Sequence, residues 1–341
     1  MIQRTSKEIH LKQYAIGLPA ENIFEIVEVD TPQPKEGEFL VHNLWMSVDP
    51  YMRGRMRKPE EIKSYIPSFQ LHEPLEGACV GQVIASRNNQ FKTGDYILGN
   101  FGWREYWLSG GKDIKKLDSK VAPIESFLGI LGMTGLTAYI GLMRIGKLNE
   151  GKDTVFVSAA SGAVGSIACQ IAKIKGCRVI GSAGSEEKVE WLLDEIKIDH
   201  AFNYKTVGEN NISSELKKAC PEGVDLYFDN VGGKHLEAAL DNMSTFGRIV
   251  LCGMISQYNV LSPVTGPPNL FLTITSRLRL QGFIVRDHYD ILNEFHSSMT
   301  KWIIERKIKS KETIVEGLEN APKAFIGLFK GENLGKMLIK I

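Results

Sequence analysis

At 341 residues the chain is long enough for two domains with substantial cores, and its 41 lysines and arginines nearly balance its 40 aspartates and glutamates. This balance gives no reason to expect nucleic acid or an anionic membrane surface as a partner, and no apolar run is long enough to span a membrane. Five scattered cysteines and a start without the apolar core of a signal peptide indicate reduced thiols, so we expect a cytoplasmic protein.

The first part of the chain predicts a compact, largely antiparallel β-barrel. Short β-type runs alternate there with turn residues such as Pro32 and Gly37. The predicted strands cover residues 23–29, 38–47, 79–85 and 96–98. The pattern changes near Leu128, and residues 137–145 predict a helix that ends at Gly146.

From Lys152 onward strands and helices alternate, which predicts a doubly wound parallel sheet. The predicted strands cover residues 154–158, 178–182, 224–229, 248–252 and 277–285, and the predicted helices cover 166–175, 234–240 and 289–307. Residues 262–269 are rich in proline and glycine, which predicts a loop over the site. A helix over 322–329 and a strand over 336–341 are predicted last.

A strand, a glycine turn and a helix follow one another from Thr154 to Lys175, an order typical of the phosphate-binding corner of a Rossmann unit. Gly162 would let the backbone approach a pyrophosphate, and Gly165 would let the helix pack closely on the strand. The amino terminus of the helix adds N–H groups and the positive end of its dipole. Because an alanine replaces the first glycine of the usual GxGxxG pattern, the motif is weak without this context. The candidate cofactor contacts in this turn are Ala159, Gly162, Ala163, Val164 and Gly165.

The residues after the second predicted strand of this sheet favour NADP over NAD. NAD-specific sites carry an aspartate or glutamate at this point for the ribose hydroxyls, but this chain has residues 183–185, Ala-Gly-Ser. A carboxylate would repel a ribose phosphate, whereas Ser185 and Lys188 would hold one. Glu186 and Glu187 complicate this interpretation unless both face solvent, and Lys188 could instead simply cover a helix surface. The charge argument predicts NADP as the cofactor.

An ordered set of segments resembles the medium-chain dehydrogenase/reductases, and within them the zinc-free branch of prostaglandin reductases, leukotriene hydroxydehydrogenases and plant 2-alkenal reductases. The segments are residues 47–56, 135–139, 159–165, 184–189, 202–205, 228–233, 281–283 and 333–336. They span nearly the whole chain and are specific only as a set. The resemblance implies an α/β protein with a GroES-like β-barrel catalytic domain over 1–127 and 308–341. It implies a Rossmann NADP-binding domain, with a doubly wound parallel sheet, over 128–307.

Carried over onto this chain, the family's cofactor contacts come from several segments. Lys188 and Tyr204 resemble the grip on the 2′-phosphate, and Asn230 resembles a polar contact to the ribose or diphosphate. Thr134 lies where the family approaches the nicotinamide, and Asn333 where the carboxyl-terminal segment reaches the cofactor. As structural alternatives, Tyr204 could be an ordinary half-buried tyrosine and Asn230 a turn residue. Outside the glycine turn, the implied contacts are Thr134, Ser185, Lys188, Tyr204, Asn230, Cys252 and Asn333.

The sequence predicts no metal site. Zinc alcohol dehydrogenases of the same superfamily need Cys, His and Glu ligands in the front domain and a cluster of four cysteines elsewhere. The front domain here has one cysteine, Cys79, and no CxxC occurs in the chain. His10, His42 and His72 have no thiolate or acidic partner at ligand spacing, and we expect them to be exposed on the surface. Without a Lewis acid, oxidation of a primary alcohol is disfavoured.

A nicotinamide site without metal or an obvious catalytic dyad suits hydride delivery to a polarised alkene. Hydride adds to the β-carbon of an α,β-unsaturated carbonyl, charge gathers on the enolate oxygen, and the α-carbon is then protonated. Tyr258 follows a strand of the predicted parallel sheet, and Tyr51 lies in a segment that faces the cleft in relatives. The resemblance to the plant reductases implies Tyr258 as the donor and Tyr51 as pocket lining. Alternatively both are aromatic wall, and water or a ribose hydroxyl supplies the proton.

The sequence therefore predicts an NADPH-dependent, zinc-independent enzyme that reduces the carbon–carbon double bond of small-molecule enals and enones. The chain departs from many relatives at residues 286–288, Arg-Asp-His, where they carry a tyrosine. This extra charge at the cleft rim either changes which carbonyl substrates are accepted or is solvated surface. A quinone oxidoreductase and a non-catalytic relative of the crystallin or RNA-binding kind are the alternatives. Relatives join sheets at the strand predicted over 277–285, so we expect a homodimer.

Overall fold

The computed structural model describes residues 5–61 and 64–341. The chain divides into two compact units. One comprises the described residues as far as Leu128, with Glu312–Asn333 and Met337–Ile341, and the other comprises Gly129–Lys311 and Leu334–Lys336. The first unit has a largely antiparallel sheet and the second a parallel sheet, so the predicted fold class is confirmed. The assignment of catalysis to the first unit and of NADP binding to the second stays a prediction.

The first unit contains a two-stranded and a seven-stranded sheet. Strands β1 (Thr5–Leu11) and β2 (Phe24–Asp30) form the small antiparallel sheet. The larger sheet consists of β3 (Phe39–Ser47), β4 (Cys79–Ser86), β5 (Tyr96–Gly99), β6 (Tyr106–Ser109), β7 (Lys115–Leu117), β14 (Glu312–Glu316) and β15 (Lys336–Lys340). Its order is β14-β15-β3-β4-β5-β7, and β6 also pairs with β3. The helices of this unit are α1 (Met52–Arg55) and α10 (Ala321–Lys330), with 3-10 turns at Glu21–Ile23, Ile124–Leu128 and Leu318–Asn320.

Helix α10 closes the core of the first unit. Pro322 lies in its first turn, where a missing N–H costs nothing, and Gly331 ends it in the left-handed region at φ 72°. Its Phe325 is fully buried and meets Trp103 edge to face, with ring centroids 6.2 Å apart. Phe24 stacks on the same tryptophan at 5.9 Å. The predicted helix and strand at the end of the chain thus pack with the front part of the sequence.

The second unit is built on a six-stranded sheet in which every pair of neighbours is parallel. Its strands are β8 (Thr154–Val157), β9 (Arg178–Ala183), β10 (His200–Asn203), β11 (Val224–Asp229), β12 (Met243–Leu251) and β13 (Arg279–Gly282). The order β10-β9-β8-β11-β12-β13 is that of the dinucleotide-binding Rossmann sheet. The strand order reverses between β8 and β11, and ligands bind such sheets outside the carboxyl ends of the strands at this point.

Helices cover both faces of this sheet. They are α2 (Met133–Tyr139), α3 (Gly165–Ile174), α4 (Glu186–Asp194), α5 (Tyr204–Val207), α6 (Ile212–Ala219), α7 (Gly233–Asn242), α8 (Leu272–Thr275) and α9 (Leu292–Ile304). Further 3-10 segments lie at Glu209–Asn211, Ile255–Gln257 and Val285–Ile291. Within residues 5–61 and 64–341, no helix has the length and apolar character needed to cross a membrane.

Several predicted boundaries differ from the structure. The helix predicted over 137–145 starts earlier, at Met133, and continues from α2 as a π-helix over Ile140–Ile145, because Gly146 N–H donates to the carbonyl of Gly141, five residues back. The helix predicted over 289–307 is α9 preceded by a 3-10 segment with a kink at His288. Strands β1, β6, β7, β10 and β14 were not predicted.

Candidate active site

The phosphate turn between β8 and α3 is formed by close backbone contacts. Ala159 adopts φ 48°, a left-handed conformation that glycine favours, so the turn holds this alanine at some strain. A Cβ on Gly165 would lie 2.3 Å from the Ala159 carbonyl oxygen, and a Cβ on Gly162 would lie 3.2 Å from it. Gly165 therefore has to be glycine. Gly162, Ala163 and Val164 are partly exposed at the start of α3.

A short segment from near the end of the chain lies against this turn. Gly335 N–H donates to the Ser161 carbonyl at 2.8 Å, and Gly162 and Gly335 form an isolated parallel bridge. Gly335 has φ 71°, and a Cβ there would lie 1.9 Å from the Lys311 carbonyl oxygen, so this position also requires glycine. Asn333, the predicted contact in this segment, belongs to the first unit. The residues that follow it are the ones that lie beside the turn.

A buried polar cluster occupies the point where the strand order reverses. Asp229 is fully buried, and its Oδ1 accepts hydrogen bonds from the Tyr227 hydroxyl at 2.7 Å and from the backbone N–H groups of Val231 and Gly232 at 2.9 and 2.8 Å. Burial raises the pKa of this carboxyl. These bonds fix the turn that carries Asn230.

Asn230, a predicted cofactor contact, is tied to the end of β8. Its Nδ2 donates to the Ser158 carbonyl at 2.8 Å, and its backbone N–H donates to the Ser158 hydroxyl at 3.0 Å. The side chain thus has a structural role, as the turn alternative expected. The same bonds hold it at the carboxyl ends of β8 and β11, where the fold binds nucleotides.

A cavity of about 420 Å³ opens at the carboxyl ends of β12 and β13. It is lined by Leu251, Cys252, Gly253, Met254, Gly282, Phe283, Ile284 and Asp287. The Tyr258 hydroxyl lies 3.2 Å from the position of a Cβ on Gly253, which brings the phenol to the cavity wall. Cys252 is partly exposed as a residue, but burial of the thiol and the nearby Asp229 charge raise its pKa to about 12. The thiol is therefore protonated at neutral pH.

The predicted ribose-phosphate corner lies at the end of β9. The Ser185 hydroxyl caps α4 by accepting from Lys188 N–H at 3.4 Å. A Cβ on Gly184 would lie 3.4 Å from Cε1 and 3.5 Å from the hydroxyl of Tyr204, so the phenol lies over this glycine. Burial lowers the pKa of Lys188, and the charge of Lys205 lowers it further. The structure thus brings Ser185, Lys188 and Tyr204 to one corner.

Glu186, the first of the two glutamates after Ser185, has hydrogen-bond partners at this corner. The Glu186 carboxylate does not simply face solvent, because its Oε1 accepts from Asn203 Nδ2 at 2.8 Å and from the Thr206 hydroxyl at 3.2 Å. Both partners lie around the start of α5. This negative charge is therefore held by neutral donors next to the corner.

Thr134 and Tyr51 lie in different units. Thr134, the second residue of α2, is buried, and its hydroxyl donates to the Gly129 carbonyl at 2.9 Å. A Cβ on the adjacent Gly135 would lie 2.0 Å from the Ile130 carbonyl oxygen, so the backbone is tightly packed here. Tyr51 precedes α1 in the first unit and is partly buried against its core.

The prediction of exposed histidines in the first unit is wrong for two of the three. His10 is buried, and its Nε2 lies 3.1 Å from Glu8 Oε2, an acidic partner that the sequence prediction missed. His42 is partly buried against Tyr106, and burial lowers its pKa. His72 is exposed. In the described part of the chain, no three or more His, Cys, Asp or Glu side chains are grouped so as to hold a metal ion.

Comparison with known proteins identifies the family. A family model described as the N-terminal domain of oxidoreductase matches residues 7–117, and one described as zinc-binding dehydrogenase matches residues 163–304. The chain is 43% identical over 342 residues to 2-alkenal reductase (NADP(+)-dependent) of Nicotiana tabacum, covering 99% of this chain and 98% of that one. It is 43% identical over 339 residues to prostaglandin reductase 1 of Bos taurus, covering 98% and 99%.

A solved structure agrees with these relatives. The crystal structure of CurA in complex with NADPH from Vibrio vulnificus superposes with a TM-score of 0.91, at 41% identity and 98% coverage of both chains. The chain is a medium-chain dehydrogenase/reductase. The predicted family is confirmed, and so are the enzyme class, an NADP-dependent oxidoreductase acting on carbon–carbon double bonds, and the cofactor.

Some residues around the site of this reductase were not predicted to belong to it. Lys205 was part of a segment that carried the resemblance, but no role was given to it. Gly253 lines the cavity, and His235 packs edge to face on Tyr204 with ring centroids 5.0 Å apart. The positions of these residues depend on which strand ends lie next to one another. The sequence pattern of a single strand carries no information about its neighbours in the sheet.

Proposed function

We propose that this reductase reduces the carbon–carbon double bond of apolar α,β-unsaturated aldehydes and ketones with NADPH, and that it does so without zinc. The observation that carries the proposal is the position of the Tyr258 hydroxyl, 3.2 Å from where a Cβ of Gly253 would stand, at the wall of the cavity beside β12 and β13. A phenol there suits a donor to a developing enolate oxygen. The relatives named 2-alkenal reductase and prostaglandin reductase 1 support the same chemistry.

The second unit fits the cofactor. No room is left for a Cβ at Gly165, so α3 packs closely on the turn, and Gly162 and the amino terminus of α3 would receive a pyrophosphate. Ser185, Lys188 and Tyr204 would hold the 2′-phosphate. We also assign Asn230 and Cys252, which follow the adjacent strands β11 and β12, to cofactor binding. Two more assignments, Thr134 to the nicotinamide and Asn333 to the carboxyl-terminal contact, rest on the resemblance. When bound, NADPH supplies the hydride that adds to the β-carbon.

The chain's own groups then have three tasks. Tyr258 donates a hydrogen bond to the carbonyl oxygen as charge gathers there. The proton for the α-carbon comes from the phenol or, if the phenol does not supply it, from water or a ribose hydroxyl. Apolar cavity side chains such as Leu251, Phe283 and Ile284 exclude water around the alkene. Tyr51 is assigned to the substrate pocket from the resemblance alone. Since no step uses a Lewis acid, the chemistry runs without a metal.

Product analysis tests this proposal. Purified protein with NADPH and an apolar enal should give the saturated aldehyde, and prior dialysis against a strong chelator should leave the rate unchanged. Tyr258→Phe should lower kcat roughly 10-fold rather than 1000-fold, since water can replace the phenol. Tyr289→Phe, which alters an exposed tyrosine of the same unit, is the matched control.

Other outcomes would contradict the proposal. An allylic alcohol as the main product would mean that the carbonyl, not the alkene, is reduced. Turnover of quinones without turnover of alkenals or aryl enones, measured side by side, would support the quinone oxidoreductase alternative. A zinc content that tracks activity would refute metal independence. Tight NADPH binding without turnover of any of these acceptors would favour a non-catalytic role.

A further inference from the structure

Lys205 lies at the ribose-phosphate corner, at the start of the short helix after β10. The position of a Cβ on Gly184 is 3.5 Å from Lys205 Cε and 3.5 Å from the Tyr204 hydroxyl. The end of the lysine side chain and the phenol therefore lie side by side over the same glycine. Lys205 is exposed, so a ligand can approach its ammonium group.

A second lysine, Lys188, lies near this corner. Burial lowers its pKa, the charge of Lys205 lowers it further, and the charge of Glu187 raises it. The positive charges of the two lysines repel each other, and an anionic ligand near both would relieve that repulsion. Among residues 5–61 and 64–341, no carboxylate forms an ion pair with Lys205.

Asn203 holds this arrangement. Its Oδ1 accepts from the backbone N–H of Lys205 at 3.1 Å and so fixes the start of α5. Its Nδ2 donates to Glu186 Oε1 at 2.8 Å. Asn203 thus positions the backbone of Lys205 and also binds the Glu186 carboxylate next to the corner.

We propose that Lys205 is a second cation for the 2′-phosphate and that, together with Lys188, it sets the preference of this enzyme for NADPH over NADH. A phosphate monoester carries about −1.5 to −2 charges near neutral pH, enough to attract both ammonium groups. This inference rests on the proposed assignment of the corner at Ser185, Lys188 and Tyr204 to the 2′-phosphate. It adds a specificity-determining residue that neither the glycine motif nor the missing acid after β9 indicates.

Titration of NADPH and NADH against four variants of the full chain tests the inference. Lys205→Met should weaken NADPH roughly 10-fold and NADH less than about 3-fold, because only NADPH carries the phosphate. Lys205→Arg should retain most of the NADPH affinity, since the positive charge remains. Lys188→Met should also weaken NADPH selectively. Lys152→Met is the matched control, because this exposed lysine precedes β8 at the opposite end of the sheet.

The outcomes separate this inference from the proposed function. If Lys188→Met weakens NADPH selectively and Lys205→Met does not, the role of Lys205 is refuted and the phosphate corner stands. If neither variant changes NADPH affinity, the corner itself is wrongly assigned. Equal losses for both cofactors with Lys205→Met would mean a structural effect, which also overturns the inference. The affinities should be measured together with thermal unfolding, which Lys205→Met should leave unchanged.

Discussion

His235 packs on Tyr204 from within helix α7 and is buried. Its ring meets the phenol edge to face, with an interplanar angle of 76°. Burial lowers the pKa of this imidazole to about 4, and its Nε2 has no hydrogen-bond partner in the described part of the chain. The ring is therefore neutral at physiological pH, and it supports Tyr204 as an apolar group.

This buried neutral imidazole predicts a loss of stability in mild acid. The folded-state pKa is depressed from 6.5 to about 4, so the unfolded chain binds the proton first. The stabilisation is complete above pH 6.5 and is lost as the pH falls toward 4, with about 2 kcal/mol gone between pH 7 and 5. Urea unfolding of the wild type and of His235→Leu at pH 7 and pH 5 measures this loss of stability. From pH 7 to pH 5 the wild type should lose that amount of stability relative to His235→Leu, and parallel pH dependences would contradict the prediction.

At the scale of elements, the phosphate turn depends on two positions with opposite requirements. Gly165→Ala would push a Cβ to 2.3 Å from a backbone oxygen, which cannot yield without opening the turn. Ala159→Gly instead relieves a φ of 48°. We therefore expect Gly165→Ala to lower the free energy of unfolding by roughly 2–4 kcal/mol and to weaken NADPH binding. Ala159→Gly should stay within about 1 kcal/mol of the wild type, on the stable side or unchanged.

Urea unfolding and NADPH titration of these two variants check the turn. Ala159→Gly also serves as the control, because it changes the same turn without adding a Cβ. Unchanged stability and NADPH affinity in Gly165→Ala would mean that the close approach of α3 to β8 is not required. A large loss of stability in Ala159→Gly would mean that packing of the alanine methyl group stabilises the turn.

Strands with a marked apolar pattern could be predicted from the sequence, and short polar strands could not. Val224–Asp229 is predicted to the residue as β11, because its largely apolar sequence follows the turn residue Gly223. In contrast, β7 (Lys115–Leu117) is short and polar, and its pairing with β5 alone makes it a strand. The same limit applies to the site. Lys188 and Tyr204 follow from motifs, whereas the approach of Lys205 to Gly184 depends on how the ends of β9 and β10 meet.

For the whole molecule, the parallel sheet of the second unit ends in β13, and no further strand pairs with it among the described residues. An uncovered edge favours pairing with a second copy of the chain. The surface next to this edge is apolar: Phe246, Phe271 and Ile274 are 69%, 61% and 77% exposed. The backbone N–H of Phe246 donates to Ser276 at 2.8 Å, which places its segment beside the residues that lead into β13. Exposed apolar groups of this size are typical of interfaces.

We therefore predict a twofold dimer through this edge, in which the apolar residues around β13 are covered. Light scattering at micromolar concentration should give twice the mass of the chain. Ile274→Glu should shift the protein toward the monomer, because it would bury unpaired charges at the interface. Ile304→Glu is the control, since Ile304 is 75% exposed at the end of α9 and does not belong to the segments that flank β13 in the chain. A monomeric wild type would refute the dimer, and equal dissociation by both substitutions would place the interface elsewhere.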